Sequence, residues 1–311
     1  MMNLFSTVVY RLLYYNVRLI NRIFFRKVHV YYHKQQITKG PALVLANHPN
    51  GFLDALLIAA YIKQPVYFLA RGDVFNRYTN AILRFLHVLP VYRMREGIDQ
   101  LGKNADTFDE CQKRLVNGGT ILIFAEGLCE NNWDLRPMMK GAARIANRAW
   151  QLPETKQLKI CTAGITYQHF DGLTKSVMLQ YGNTYEQVDF PQDATFYATF
   201  MQHTYNALKL LVCYRPTMQP RSNEHMQWIQ YWDAHNTKYN ELPQLLQAFV
   251  HSDSVDIPTK NTRNKWIDRI TQYSVFYDSV VYVSWLALFV FVECAAAVWL
   301  IIYLAGSLII K

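Results

Sequence analysis

No acidic residue precedes Asp54, and no two of the five cysteines form a C-x-x-C pair. The cysteines, at 111, 129, 161, 213 and 294, are odd in number and widely spaced. That pattern excludes a disulfide framework and a zinc cluster and leaves isolated, reduced thiols. The N-terminus also lacks the basic n-region, unbroken apolar run and small-residue cleavage site of a signal peptide. Internal repeats, low-complexity tracts, recognition-helix, zinc-finger and RNA-platform motifs are missing as well, so nucleic-acid binding ranks low despite a net charge of +9. His29 and His33 have no Cys or carboxylate cluster beside them, and no metal is implied.

What is present is a folding composition: 311 residues, 51% apolar and 14% aromatic. A chain of this size buries a core as one large or two small domains. The positive charge is local, because Arg11, Arg18, Arg22, Arg26, Lys27, Lys34 and Lys39 all precede the first carboxylate. From Leu4 to Phe25 the arginines recur at helical spacing among Phe5, Val8, Val9, Leu12, Leu13, Leu19, Ile20 and Ile23. This predicts an amphipathic helix over 1–27 lying in the headgroup plane of an anionic membrane, or else packed on its own domain. At the other end, Val280 to Ile310 is nearly continuous apolar sequence, interrupted by Ser284, Glu293 and Ser307. A span needs ~20 apolar residues, so 276–311 reads as a membrane anchor, either one tilted helix or a re-entrant hairpin. Lys260, Arg263, Lys265 and Arg269 before it favour a cytoplasmic flank, which puts the bulk of the chain on the cytoplasmic face.

Between these ends, short β-rich runs alternate with helical patterns, the signature of an α/β fold with a mixed sheet flanked by helices. Strands are expected at Ala42–Ala46, Val66–Leu69, Val88–Tyr92, Thr120–Phe124 and Lys159–Tyr167, and helices near Phe52–Ile62, Asn76–Phe85, Asp106–Leu115 and Gly141–Trp150. The α/β domain is assigned to 28–200 and a helical subdomain to 201–275.

The chemistry concentrates in Asn47-His48-Pro49-Asn50-Gly51-Phe52-Leu53-Asp54, where a strand end delivers a histidine and the start of the next helix an aspartate. A carboxylate on one ring nitrogen fixes the histidine tautomer and stabilises the imidazolium, which makes the other nitrogen a general base. No nucleophilic Ser or Cys belongs to the pair. The attacking group is therefore expected to be a substrate hydroxyl, in one-step acyl transfer without an acyl-enzyme. Backbone N–H groups near the helix start after His48 are the expected oxyanion donors.

Four ordered blocks give this segment a likeness: Asn47-His48 with Asp54; Val88-Leu89-Pro90-Val91-Tyr92-Arg93; Phe124-Ala125-Glu126-Gly127; and Ala163-Gly164-Ile165-Thr166-Tyr167, with Lys140-Gly141 after the third. Over about 28–190 the chain resembles the glycerolipid acyltransferases, the family of lysophosphatidic acid and glycerol-3-phosphate acyltransferases. The resemblance implies His48 as base, Asp54 as its orienting partner, Arg93 as a phosphate or headgroup contact and Glu126 and Gly127 at the acceptor. A phosphate needs fixed cations, for which Arg136 or Lys140 are further candidates, and Asn50 is counted with the substrate-binding residues. The resemblance implies membrane lipid and an acyl-CoA or acyl-carrier-protein co-substrate as partners, and no cofactor. An arginine suits a phosphate because its fork is bidentate. Three departures stand out: five residues rather than four separate His48 from Asp54, Leu128-Cys129 replaces the usual Thr-Arg, and Thr162-Ala163 occupy the place of a proline. The expected reaction is acylation of 1-acylglycerol-3-phosphate. Glycerol-3-phosphate, dihydroxyacetone phosphate or a lyso-amino-acid lipid are alternative acceptors, and a catalytically silent membrane scaffold is the reading from another class.

Overall fold

The computed structural model describes residues 4–32, 40–92, 102, 104–170, 175–252, 284 and 287. Among these, no helix is long and apolar enough to cross a membrane. The apolar run at 280–310 lies outside the described residues but for Ser284 and Ala287, and so does Arg93. The chain divides into two compact units, one of residues 1–27, 171–175 and 263–311, the other of 28–170 and 176–262.

In the first unit, α1 (Leu4–Phe24) ends one residue short of the predicted limit. Asn16, Val17, Ile20, Asn21 and Phe24 recur at helical spacing and are buried. The exposed side mixes apolar Leu12, Tyr15 and Leu19 with Arg11 and Arg22. The Lys175 ammonium sits 5.4 Å from the Phe24 ring centroid, so a cation and an aromatic face meet inside this unit.

The second unit is built on the mixed seven-stranded sheet of order β1-β7-β6-β2-β5-β3-β4. Its strands are β1 (Phe25–Tyr32), β2 (Ala42–Ala46), β3 (Val66–Arg71), β4 (Val88–Val91), β5 (Thr120–Phe124), β6 (Lys159–Tyr167) and β7 (Lys175–Tyr185). Three strands match their predicted ranges, and β3 and β4 differ only at the C-terminal end. The edge pair β1 and β7 was not foreseen. Phe25 follows α1 with no Gly or Pro to mark a break, and β7 carries Gly182 and few β-branched residues. β2 runs parallel to both β5 and β6, and β7 closes antiparallel on β6.

Crossover helices α2 (Phe52–Ala60), α3 (Thr79–Phe85), α4 (Asn104–Val116) and α5 (Gly141–Trp150) join the parallel strands. α2 stops short of the predicted limit because Pro65 excludes helical backbone at Gln64 and the chain must turn first. The helices α6 (Phe196–Lys209), α7 (Asn223–His235) and α8 (Leu242–His251) follow. All three fall in the same compact unit as the sheet.

The sheet order has a direct consequence for the site. From β2 the chain crosses one way to β3, whereas from β5 it crosses the other way to β6. Right-handed crossovers therefore lay α2 on one face and α4 and α5 on the opposite one. Leu43 and Leu45 of β2 accordingly share a core with Cys111 and Leu115 of α4, Ala142, Ala143, Ile145 and Ala146 of α5 and Phe200 of α6. The small alanines of α5 let its axis approach the sheet closely. β2 and β5 are thus neighbours whose connections leave to opposite faces, and it is past the carboxyl ends of such a pair that open α/β sheets bind ligands.

Candidate active site

β2 is fully buried along its length, so the residues that leave its carboxyl end are anchored by the sheet. Asn47 extends that anchoring. Its side-chain amide donates to the Ile165 carbonyl at 2.9 Å, and its oxygen accepts the Ile165 N–H at 2.7 Å, so one side chain continues the β2–β6 ladder beyond Ala46. His48 leaves from this clamp. Its ring stacks on Phe124 of β5, with centroids 3.8 Å apart and planes 8° from parallel.

The chain then turns through Gly51, whose φ of 59° is a left-handed value that suits glycine, and α2 begins at Phe52. Asp54, in the first turn of α2, is fully buried. A carboxylate there is favoured by the helix dipole. Its Oδ2 lies 2.9 Å from His48 Nδ1 and accepts the Asn50 N–H at 2.7 Å, while its Oδ1 accepts the Tyr167 hydroxyl at 2.9 Å. The longer spacing is therefore accommodated by a glycine turn folded back on the carboxylate it precedes. With Nδ1 given to Asp54, Nε2 is the ring nitrogen left for a substrate, on a side chain that is 20% exposed.

A second carboxylate approaches from β5. Glu126 is buried, accepts the His48 N–H at 3.3 Å through Oε1, and pairs through Oε2 with Arg136 at 2.8 Å. Burial raises its pKa above the ordinary glutamate value, and Arg136 and the His48 N–H offset part of that rise. Gly127 follows at φ 65°, and a Cβ there would stand 3.1 Å from the Met139 side chain. Arg136 also pairs with Glu130 at 2.8 Å and donates to the Leu128 carbonyl at 3.2 Å. Its guanidinium is thus shared between two carboxylates and a backbone oxygen.

The loop after Gly127 closes over the turn that carries the histidine. The Cys129 sulfur accepts the Gly51 N–H at 3.0 Å, and the Asn131 amide donates to the Pro49 carbonyl at 2.7 Å. Desolvation of its sulfur and the nearby Asp54 charge push the Cys129 thiol up to about 11. The Asn50 amide donates to the Phe170 carbonyl at 3.3 Å.

Of the residues singled out from sequence, His48, Asn50, Asp54, Glu126, Gly127 and Arg136 converge here. Lys140 stands exposed just before α5, and its ammonium pairs with no carboxylate among the described residues. Sequence reasoning gave no role to Tyr167, Phe124, Cys129 or the Asn47 side chain. Tyr167 and Phe124 lay within the ordered blocks, but only the strand register could show what they touch.

Residues 27–166 match the family model Acyltransferase. That stretch is the one over which the four blocks lie, and it is what the chain shares with acyltransferases at the level of the family model. Among solved structures, the chain is similar to the crystal structure of the 1-acyl-sn-glycerophosphate (LPA) acyltransferase PlsC from Thermotoga maritima, with 16% identity, 65% of this chain and 80% of that chain covered, and a TM-score of 0.43. Comparison with curated proteins gives no match.

Proposed function

We propose that the protein is a membrane-bound O-acyltransferase that moves a fatty acyl group from a coenzyme A or acyl-carrier-protein thioester to the free hydroxyl of a lysolipid. The observation that carries this reading is the 2.9 Å contact between His48 Nδ1 and a buried Asp54, which leaves Nε2 available at the carboxyl end of β2. In the reaction, Nε2 takes the proton of the acceptor hydroxyl as its oxygen attacks the thioester carbonyl. The tetrahedral intermediate then collapses, the C–S bond breaks, and the imidazolium returns its proton to the departing thiolate. Asp54 stabilises the imidazolium and holds its tautomer throughout. Because the N–H groups of Asn50 and Gly51 are already engaged, those of Phe52 and Leu53 at the start of α2 are the remaining backbone donors for the oxyanion.

The acceptor on this reading is 1-acylglycerol-3-phosphate, giving phosphatidic acid. Arg93, Arg136 and Lys140 are the cations assigned to its phosphate, with Asn50, Glu126 and Gly127 lining the same subsite. One observation favours a second reading, an acceptor without phosphate such as a lyso-amino-acid lipid. Arg136 already serves Glu126 and Glu130, and Leu128-Cys129 offers no replacement cation. The exposed Arg11, Leu12, Tyr15, Leu19 and Arg22 of α1 support contact with an anionic membrane surface, and the apolar run at 280–310 supports tight anchoring at the cytoplasmic face.

An acyl-transfer assay in lipid micelles tests both readings. Labelled acyl-CoA or acyl-carrier-protein is offered with 1-acylglycerol-3-phosphate, glycerol-3-phosphate or a lyso-amino-acid lipid, beside a His48→Ala control. Conversion of the first acceptor with a dead control supports the main reading, and preference for the phosphate-free lipid supports the second. No turnover with any pair, or equal turnover by the control, removes the enzyme reading.

A further inference from the structure

We infer that Tyr167 is a positioning residue for the histidine and aspartate pair, setting the orientation of Asp54 and the spread of its charge from the far side of the carboxylate. This rests on the general-base reading of His48. Asp54 is fully buried, and its two oxygens are served unequally. Oδ2 takes the His48 ring nitrogen and the Asn50 N–H, whereas the Tyr167 hydroxyl, at 2.9 Å, is the donor on Oδ1 among the described residues. Without it a carboxylate oxygen would be buried with no partner. Such an oxygen keeps its charge at a desolvation cost, and the carboxylate loses its restraint on that side.

The tyrosine is itself held at several points. It is fully buried, and it is the last residue of β6, paired with Val177 of β7. Its carbonyl accepts the Trp133 indole N–H at 2.8 Å, and its ring packs 6.0 Å from that of Phe170. The same strand holds Asn47 through Ile165, two residues earlier. β6 therefore restrains the pair twice, by an amide clamp before His48 and by a hydroxyl behind Asp54. A phenol is suited to the second task because it reaches across a strand spacing, brings one donor, and adds no charge that would compete with the imidazolium.

The electrostatic consequence has a definite sign. A hydrogen bond to Oδ1 spreads the carboxylate charge and weakens its pull on the imidazolium. Removing the hydroxyl concentrates that charge and strengthens the attraction between the carboxylate and the imidazolium. The other titratable groups facing the pair are Glu126 with its partner Arg136, and the Cys129 thiol. All are unchanged by a substitution at 167.

The test is the pH profile of kcat and kcat/KM for the full-length protein and for Tyr167→Phe, with His48→Ala alongside. The expected result is a kcat about ten- to a hundredfold lower, an unchanged KM for both substrates, and an acid limb displaced to higher pH. Replacing Tyr167 by 3,5-difluorotyrosine keeps the shape and strengthens the donor, so the acid limb should move to lower pH even where Tyr167→Phe does not fold. An acid limb unmoved by both variants, or a loss confined to KM, overturns the assignment while a dead His48→Ala leaves the base reading intact. Wild-type turnover by His48→Ala overturns the base reading and the role of Tyr167 together.

Discussion

The two carboxylates at the carboxyl end of the sheet are buried to a similar degree and are neutralised in opposite ways. Asp54 is met by a ring nitrogen, a backbone N–H and a phenol, all borne by rigid elements. Glu126 is met by a long guanidinium that also reaches Glu130 and Leu128. The first arrangement fixes a proton-transfer geometry, because each contact is short and directional. The second balances charge on a side chain that keeps some exposure and divides its donors between two carboxylates.

Substitutions that break this contrast should differ in kind as well as size. The largest effect is expected from His48→Ala, which removes the base and should lower kcat by about 10³-fold or more with little change in thermal midpoint, measured by acyl transfer beside calorimetry. Asp54→Asn should follow at about 10²- to 10³-fold. The amide oxygen can keep Nδ1 and the Asn50 N–H, with the amide nitrogen turned to the Tyr167 hydroxyl, but the imidazolium loses its counter-charge, so the loss should fall in kcat in the same assay.

Arg136→Ala should act first on stability, lowering it by about 2–4 kcal/mol, because it leaves Glu126 buried without its cation. Burial already raises the Glu126 pKa in the folded state, and the substitution raises it further. The folded variant then binds its proton more tightly than the unfolded chain does, so stability falls as pH climbs through the range between the two pKa values. Its deficit in thermal midpoint should therefore shrink on acidification towards the ordinary glutamate range, and a deficit independent of pH would count against the pairing. The smallest change is expected from Cys129→Ala. It removes a weak sulfur acceptor from the Gly51 N–H and should cost about two- to fivefold in kcat without altering the choice of headgroup.

The same contrast explains what the sequence made legible. His48 and Asp54 lie six residues apart on one strand–turn–helix unit, so spacing alone brought them within reach. The ordered blocks placed Glu126 and Gly127 at the end of a strand. Arg136 was legible as a cation near the site, but its engagement by two carboxylates depends on how the loop from Leu128 to Leu135 folds back. No periodicity records that. Tyr167 closed an expected strand and the fourth block but had no role of its own, because its partner is 113 residues away and is reached only through the β2–β6 register. The strands β1 and β7 escaped for a related reason. No Gly or Pro separates β1 from α1, and β7, though Asp171-Gly172 precedes it, carries Gly182 and few β-branched residues.

The Asn47 clamp has a consequence for how the protein is made. Synthesis through Gly127 yields a chain with His48, Asp54 and Glu126 already in place along the backbone, but without Ile165 or Tyr167, which lie 118 and 113 residues downstream of the groups they hold. Contacts of such separation close late, after the loop-closure entropy of the intervening chain has been overcome. The proton-transfer geometry is therefore acquired near the end of folding, and a nascent or truncated product that stops short of β6 carries the reactive residues without the means to aim them.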